Sequence, residues 1–268
     1  MKTGIAGCGR MGLPMGLALT AGGIDTVGFD IKRANDFGNL PMEFSIEPFA
    51  HDLTVLFSVV RDEEQTNALL FDEQNVIKYA DALEYLVICS TLSPKYVLDL
   101  RNRLPQHIHL VDAPMSGASI AAKEARLSFM IGGNPEIIDE LMLHFAAMGN
   151  SFHLMGELGA GMTTKVLNNL VAAASTVATR TAIDWGSHHG LSHEELLNVM
   201  RKSSGQTWFG SNFDQIEFAR DGYTEDNSIG ILAKDVDAAF SAAPNGASRD
   251  LVDALIGYIR DMDPLGDS

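Results

Sequence analysis

The chain carries the stretch Gly7-Cys8-Gly9-Arg10-Met11-Gly12 directly after a short apolar run, and an apolar helical pattern follows from Met11 to Ala21. In a strand–turn–helix setting, this spacing places one glycine at the tight turn and a second where the backbone approaches a pyrophosphate. The third glycine lies where the helix packs on the strand. The N-terminus of the helix adds unpaired N–H groups that bind phosphate. The stretch predicts the phosphate-binding turn of an α/β sheet, and a glycine-rich turn without a ligand is the alternative.

A carboxylate follows where a dinucleotide-binding unit needs one. Asp30 ends the apolar run Thr26–Phe29, about 20 residues after Gly9, where an acid accepts hydrogen bonds from the ribose hydroxyls of NAD. A 2′-phosphate at that position would meet a like charge. Lys32 and Arg33 follow, and either side chain can reach a phosphate. NAD is therefore the predicted cofactor, with NADP as the alternative.

The order of apolar segments predicts two domains. In the first half, strand-like runs alternate with helix-like ones, which is typical of a doubly wound parallel sheet. These runs are 2–6, 26–30, 53–60, 86–89 and 108–112, with a further pair at 127–131 and 151–154. Helical patterns then cover 163–189, 192–202, 208–220 and 229–243. We predict a Rossmann-type α/β domain over residues 1–161 and an all-α domain over 162–268, joined by a long helix.

Charge and composition restrict the partners. The formal net charge is −16 and the pI is about 4.7, which argues against nucleic acid and against an anionic membrane surface. Cys8 and Cys89 are interpreted as small apolar fillers in a reducing compartment. The first apolar strand begins at Thr3, which leaves no room for a targeting segment, so a cytoplasmic location is expected. Adjacent histidines at 188 and 189 point in different directions, and no metal site is predicted.

A second motif, Asp112-Ala113-Pro114-Met115-Ser116-Gly117, follows a predicted strand. It leaves the backbone open around Ser116, and a hydroxyl beside free N–H groups can hold a carboxylate. Taken alone, an ordinary β-turn is the simpler interpretation.

Lys165 and Asn169 form a third pattern. They are four residues apart on the predicted long helix, so both point the same way from it. Their neighbours are apolar, and an amine in such surroundings has its charged form disfavoured by desolvation, which suits proton transfer. A lysine that extends its amine to solvent beside a solvated asparagine is the alternative.

In this order and at these separations, the three motifs resemble the β-hydroxyacid dehydrogenase family, which includes 3-hydroxyisobutyrate dehydrogenase and tartronate semialdehyde reductase and is related to 6-phosphogluconate dehydrogenase. The resemblance extends over essentially the whole chain. Further matching pieces are Met15, Ser90-Thr91-Leu92-Ser93-Pro94, Gly132-Gly133, Asn168-Asn169 and Lys234-Asp235.

The resemblance implies a role for each motif. Lys165 matches the general acid/base, Asn169 the substrate-orienting amide, and Ser116 with Gly117 and Ala118 the turn that binds the substrate carboxylate. A homodimer or homotetramer is implied as well. The glycine turn and the resemblance together predict these cofactor-binding residues: Gly7, Gly9, Arg10, Met11, Gly12, Asp30, Lys32, Val60, Arg61, Thr91 and Lys234.

Three positions depart from the family pattern. Ala118 stands where the family usually has a second glycine after the serine, and Ala125-Arg126 replaces a glycine before the next strand. Val60-Arg61 stands where the family often has Leu-Pro, which adds a cation near the nicotinamide end. Lys165 is retained, so these departures are expected to change which acid the substrate site accepts.

These patterns predict an NAD(P)-dependent oxidoreductase that interconverts a small β-hydroxy acid and its semialdehyde or keto acid. An imine reductase-like enzyme is one alternative, although such proteins usually lack the lysine. A dinucleotide-binding sensor or scaffold without catalysis is another. A protein of that kind has no need to retain Lys165, Asn169 and Ser116 together.

Overall fold

A computed structural model describes residues 1–33 and 36–266, and its contacts divide the chain into two units, Met1–Lys165 and Val166–Ser268. The domain boundary predicted at residue 161 stays a prediction. Among the described residues, no helix is both long enough and apolar enough to cross a bilayer.

One sheet organises the first unit. Its strands within the described ranges are β1 (Lys2–Ala6), β2 (Thr26–Phe29), β3 (Met42–Glu43), β4 (Leu53–Ser58), β5 (Tyr85–Ile88), β6 (His109–Asp112), β7 (Met115–Ser116), β8 (Leu127–Gly132) and β9 (Gly149–Gly156). They are ordered β3-β2-β1-β4-β5-β6-β8-β7, and β9 pairs with β8. The pairings from β3 to β6 are parallel, whereas β8 runs antiparallel to β6 and β7. The predicted Rossmann-type fold is confirmed.

Helices cover this sheet because its strands send apolar side chains to both faces. Val87 belongs to one buried cluster and its neighbour Leu86 to the other. The helices of the first unit are α1 (Gly12–Ala21), α2 (Ile46–Ala50), α3 (Glu63–Leu70), α4 (Val76–Tyr79), α5 (Pro94–Arg103), α6 (Ala118–Lys123) and α7 (Pro135–Met148).

The second unit is helical and contains no strand in its described part. Helix α8 (Ala160–His188) has 29 residues; it begins in the first unit and continues in the second, which confirms the predicted long helix. It is followed by α9 (His193–Arg201), α10 (Trp208–Ser211), α11 (Ser228–Phe240) and α12 (Asp250–Arg260). Buried Arg180 of α8 donates to the carbonyls of Ala219, Asp221 and Asp263, which ties the loops of this unit to the helix.

The prediction of a single helix over 208–220 is wrong. Only α10 and a short 3₁₀ turn (Phe213–Gln215) form there, because Gly210 and Asn212 are poor helix formers. The Asn212 side chain also donates to the Trp208 carbonyl at 2.8 Å, which closes the helix after one turn.

Helix starts follow the sequence closely. Ser192 and Glu195 form a capping box at the start of α9, and Ser93 accepts from the Tyr96 N–H at the start of α5. Asp62 caps α3 by accepting from the Gln65 N–H, and the Gln65 side chain accepts from the Arg61 N–H.

Candidate functional site

The order of the strands reverses beside β1. The chain leaves β1 for β2 and β3 on one side and returns to β4 on the other, so the carboxyl ends of β1 and β4 flank a topological switch point. Ligands of open α/β sheets bind in the crevice at such a point. Gly7 follows β1 there with φ +90°, and a Cβ on it would lie 2.8 Å from the Val59 backbone. The two loops therefore touch, and only glycine fits at this contact.

The glycine turn has the shape that a pyrophosphate requires. Open space surrounds Gly9, where no atom of the described chain lies within 4 Å of an added Cβ. A Cβ on Gly12 would lie 2.0 Å from the Gly7 carbonyl oxygen, so the third glycine permits close packing of α1 on the turn. Met11, the N-cap of α1, makes no side-chain capping bond in the described chain. The first turn of α1 thus fits a phosphate in place of a cap.

Cys8 has a packing role inside the turn. Its side chain is buried, and burial raises the pKa of the thiol to about 12, with the nearby Asp30 carboxylate as the second cause. Cys8 and Cys89 are both free and buried, which confirms their interpretation as fillers.

Asp30 lies just beyond β2 and forms a local turn. One carboxylate oxygen, Oδ1, accepts from the Lys32 N–H at 2.8 Å, which orients the carboxyl group. Lys32 is exposed, and the guanidinium of Arg33 lies 5.3 Å from the centre of the Phe44 ring. The oriented carboxylate fits the ribose hydroxyls of NAD.

The loops after β4 and β5 are tied together beside the switch point. The Ser90 hydroxyl donates to the Val60 carbonyl, and Thr91 follows in the same loop. Arg61 is exposed and its Nε lies 2.9 Å from Asp62 Oδ2, so the additional cation is held by an ion pair. The structure brings these predicted cofactor residues to the edge that carries the glycine turn.

Ser116 belongs to a strand, which replaces the simpler β-turn interpretation. Strand β7 pairs with β8, with Ser116 opposite Ser128. Gly117 then caps α6 with φ +135°, and Ala118 has φ +53°. The backbone after the serine therefore adopts the left-handed conformation that favours glycine, although this chain has alanine at the second position. Gly117 and Ala118 are both exposed.

Asp112 is a functional candidate that its motif alone did not reveal. This carboxylate is fully buried at the end of β6; its Oδ1 accepts from the Gly159 N–H at 2.7 Å and its Oδ2 from the Met162 N–H at 2.6 Å. Burial raises its pKa to about 6, against the lowering effect of those N–H donors. Lys165 follows Met162 by three residues and is 9% exposed. The amine that the sequence singled out is thus buried in the first unit.

In the second unit, the Asn169 amide has a fixed orientation. Its Nδ2 donates to Asp235 Oδ2 at 2.6 Å, and its Oδ1 accepts from Asn168 Nδ2 at 3.3 Å. Asp235 is buried, and Lys234 Nζ lies 3.2 Å from its other carboxylate oxygen. No role for Asp235 was predicted from the sequence. An acid directly after a predicted cofactor-binding lysine was the available signal.

Sequence comparisons identify relatives over nearly the whole chain. Residues 2–156 match the family described as the NAD binding domain of 6-phosphogluconate dehydrogenase, and residues 159–251 match the NAD-binding family of NADP-dependent 3-hydroxyisobutyrate dehydrogenase. NAD-dependent L-serine dehydrogenase of Pseudomonas aeruginosa is 28% identical over 90% of this chain and 85% of its own. L-threonate dehydrogenase of Pectobacterium atrosepticum is 24% identical over 87% and 78%, respectively.

A solved structure has the same fold. The chain resembles 3-hydroxyisobutyrate dehydrogenase of Mycobacterium tuberculosis, solved with L-serine, with a TM-score of 0.79 and 23% identity. The match covers 98% of this chain and 96% of that one.

Proposed function

We propose a mechanism for this chain, which belongs to the β-hydroxyacid dehydrogenase family and is an NAD(P)-dependent oxidoreductase acting on the CH–OH group of a small β-hydroxy acid. One observation carries the proposal: a single unit contains the glycine turn at the switch point, the Ser116 strand and the buried Lys165. The glycine turn fits a dinucleotide, the Ser116 strand can bind an anion, and the lysine can transfer a proton.

In the oxidation direction, Lys165 accepts the proton of the substrate hydroxyl as a neutral amine. The carbon that bears the hydroxyl becomes a carbonyl, and in the reverse direction Lys165 returns the proton to the oxygen. The bound nicotinamide supplies the hydride acceptor.

The substrate carboxylate is assigned to the turn of Ser116, Gly117 and Ala118. The Ser116 hydroxyl and backbone N–H groups of an exposed turn are suitable donors to an anion. Asn169, one helical turn beyond Lys165 along α8, is assigned to the reacting oxygen. Its Nδ2 carries two hydrogens, and one of them goes to Asp235, so the other can donate to the substrate oxygen while Lys165 takes the hydroxyl proton.

The cofactor residues support NAD over NADP. The glycine turn holds the pyrophosphate through Gly7, Gly9 and Gly12, and Asp30 accepts from the ribose hydroxyls. The Asp30 carboxylate would repel a 2′-phosphate.

Replacing Lys165 with methionine tests the mechanism. The side chain keeps its approximate length and loses the amine, so kcat should fall by about 100-fold or more while NADH binding is unchanged. Turnover is followed as NADH formation on 3-hydroxyisobutyrate, 3-hydroxypropionate, glycerate, threonate, 4-hydroxybutyrate and L-serine, and binding as NADH fluorescence. Lys202→Met, at an exposed lysine that ends α9, is the matched control and should retain wild-type kcat.

Two results would contradict the proposal. Near-normal turnover by Lys165→Met would remove the lysine from the mechanism. Tight NADH binding by the wild type without oxidation of any acid in the panel would favour the sensor or scaffold.

Assembly and location extend the proposal. We infer a homodimer or homotetramer from the family resemblance, and a cytoplasmic location from the composition. Light scattering of the purified chain measures the first, and fractionation of cells that express it measures the second.

A further inference from the structure

We propose that Asp112 is a positioning residue that sets the location of Lys165 relative to the Ser116 turn. Its carboxylate links the end of β6 to the start of α8. Strand β6 leads directly to Ser116, and the start of α8 leads directly to Lys165. This inference rests on the proposed function, because it assigns Lys165 and Ser116 to one reaction.

The two hydrogen bonds are the first support. Each oxygen of Asp112 accepts from a different N–H, that of Gly159 before α8 and that of Met162 in its first turn, at 2.7 and 2.6 Å. One carboxylate therefore binds both the residue that precedes the helix and a residue of its first turn. Bonds from N–H donors to a carboxylate are shorter and stronger than bonds between neutral groups. These bonds fix the helix start in position as well as in direction.

Close packing around the carboxylate is the second support. A Cβ on Gly132 would lie 2.5 Å from Asp112 Oδ1, and a Cβ on Gly161 would lie 3.0 Å from Oδ2 and 2.3 Å from the Met130 carbonyl oxygen. Glycine at both positions lets α8 begin against the strands. The carboxylate thus lies in a space with little freedom to move, and the helix start can shift only if Asp112 shifts.

The position of Asp112 along the chain is the third support. Ser116 lies four residues after Asp112, and Lys165 lies three residues after Met162. Ser116 and the Lys165 amine are thus connected by two short segments, 112–116 and 162–165, which the Asp112 side chain joins. A separate contact joins the same helix start to the cofactor side, since the Leu92 N–H donates to Met162 Sδ at 3.3 Å, beside Thr91. Displacement of this start would move the amine relative to both ligands.

Asp112→Asn is the test. The amide can accept from one N–H only and would direct its own NH₂ at the other donor, so the helix start should be displaced while the side-chain volume stays the same. Turnover is expressed per NADH-binding site, measured by fluorescence titration, so that unfolded protein does not enter the rate. We expect kcat to fall by about 10- to 100-fold, as a displacement near 1 Å can cause, with NADH affinity unchanged. Hydrogen exchange at residues 159–165 should be faster in the variant.

Ser192→Ala is the control for the loss of a helix cap. It removes the capping hydroxyl of α9 in the other unit, so it should lower stability and leave turnover per site and exchange at 159–165 as in the wild type. If Asp112→Asn does not fold, Asp112→Glu carries the same expectations, because it retains both acceptor oxygens on a longer stem.

The outcomes separate this inference from the proposed function. Turnover per site within about twofold of the wild type in the Asp112 variant would overturn the inference, as would unchanged exchange at 159–165. A purely structural role would lower the number of NADH sites and the total rate in proportion. If the wild type oxidises no acid of the panel, the proposed function fails, and the exchange measurement alone decides whether Asp112 anchors the helix.

Discussion

Replacing Ala118 or Ala125 with glycine should stabilise this chain, although glycine usually has the opposite effect. Both alanines adopt the left-handed conformation, with φ of +53° and +51°. The other non-glycine residues with positive φ in the described ranges are Asp52 and Asn75, whose residue types are enriched in this conformation. The strain therefore lies in the two alanines, and both lie where this chain departs from a glycine of the family pattern, at residue 118 and near 125–126.

The magnitude follows from two opposing effects. The left-handed conformation costs a residue with a Cβ about 1–2 kcal/mol. Glycine returns about 0.5–1 kcal/mol of this because it gives the unfolded chain more freedom. The difference is a gain of about 0.5–1 kcal/mol in the free energy of unfolding at each site. Each substitution should therefore raise Tm by about 1–4 °C.

Thermal unfolding followed by circular dichroism measures the effect, with Ala254→Gly as the matched control. Ala254 is exposed in the middle of α12, where glycine should cost about 1 kcal/mol. The same substitution thus has opposite signs in a left-handed and in a helical position. If Ala125→Gly lowers Tm as much as Ala254→Gly does, the reasoning from backbone strain is refuted. Only Ala118→Gly should also change KM for the acid, since it lies on the proposed carboxylate turn.

Two further predictions concern acids of the first unit. Asp30→Ser should shift the ratio of kcat/KM toward NADP by about 10- to 100-fold, because it removes both the ribose acceptor and the repulsion of a 2′-phosphate; an unchanged ratio in parallel assays would assign cofactor choice elsewhere. Burial raises the pKa of Asp112 from its ordinary value of 3.8 to about 6, so in that window the folded chain binds more protons than the unfolded chain. The free energy of unfolding should therefore fall by about 2 kcal/mol through this group as the pH rises from 4 to 7. Urea titrations of the wild type and Asp112→Asn across this range test the assignment, and a difference that stays constant with pH would contradict it.

Local chemistry made much of the fold readable from the sequence. The glycine turn before α1 and the long helix depend on residues a few positions apart, and both were predicted correctly. Strand β7 was missed because it has two residues and exists only through its pairing with β8. Helix α12 was also missed, although its apolar positions follow a helical period.

For the candidate site as well, local features could be predicted and contacts between distant residues could not. The residues that belong to motifs could be named, whereas the partners of Asp112 could not, since they lie 47 and 50 residues away along the chain. The same holds for Asn169 and Asp235, which are 66 residues apart. Contacts of this kind depend on how the strands and helices pack. The left-handed conformation of Ala118 was equally hidden, because alanine gives no signal for it.

The burial of Cys8 has a consequence for how the protein responds to oxidants. Peroxides and alkylating reagents attack thiolates, and with a pKa of about 12 only about one Cys8 thiol in a hundred thousand is ionised at neutral pH. Burial raises the pKa of Cys89 as well. The turn assigned to the cofactor phosphates therefore contains a thiol that stays protonated at neutral pH. Peroxides and alkylating reagents should modify it slowly.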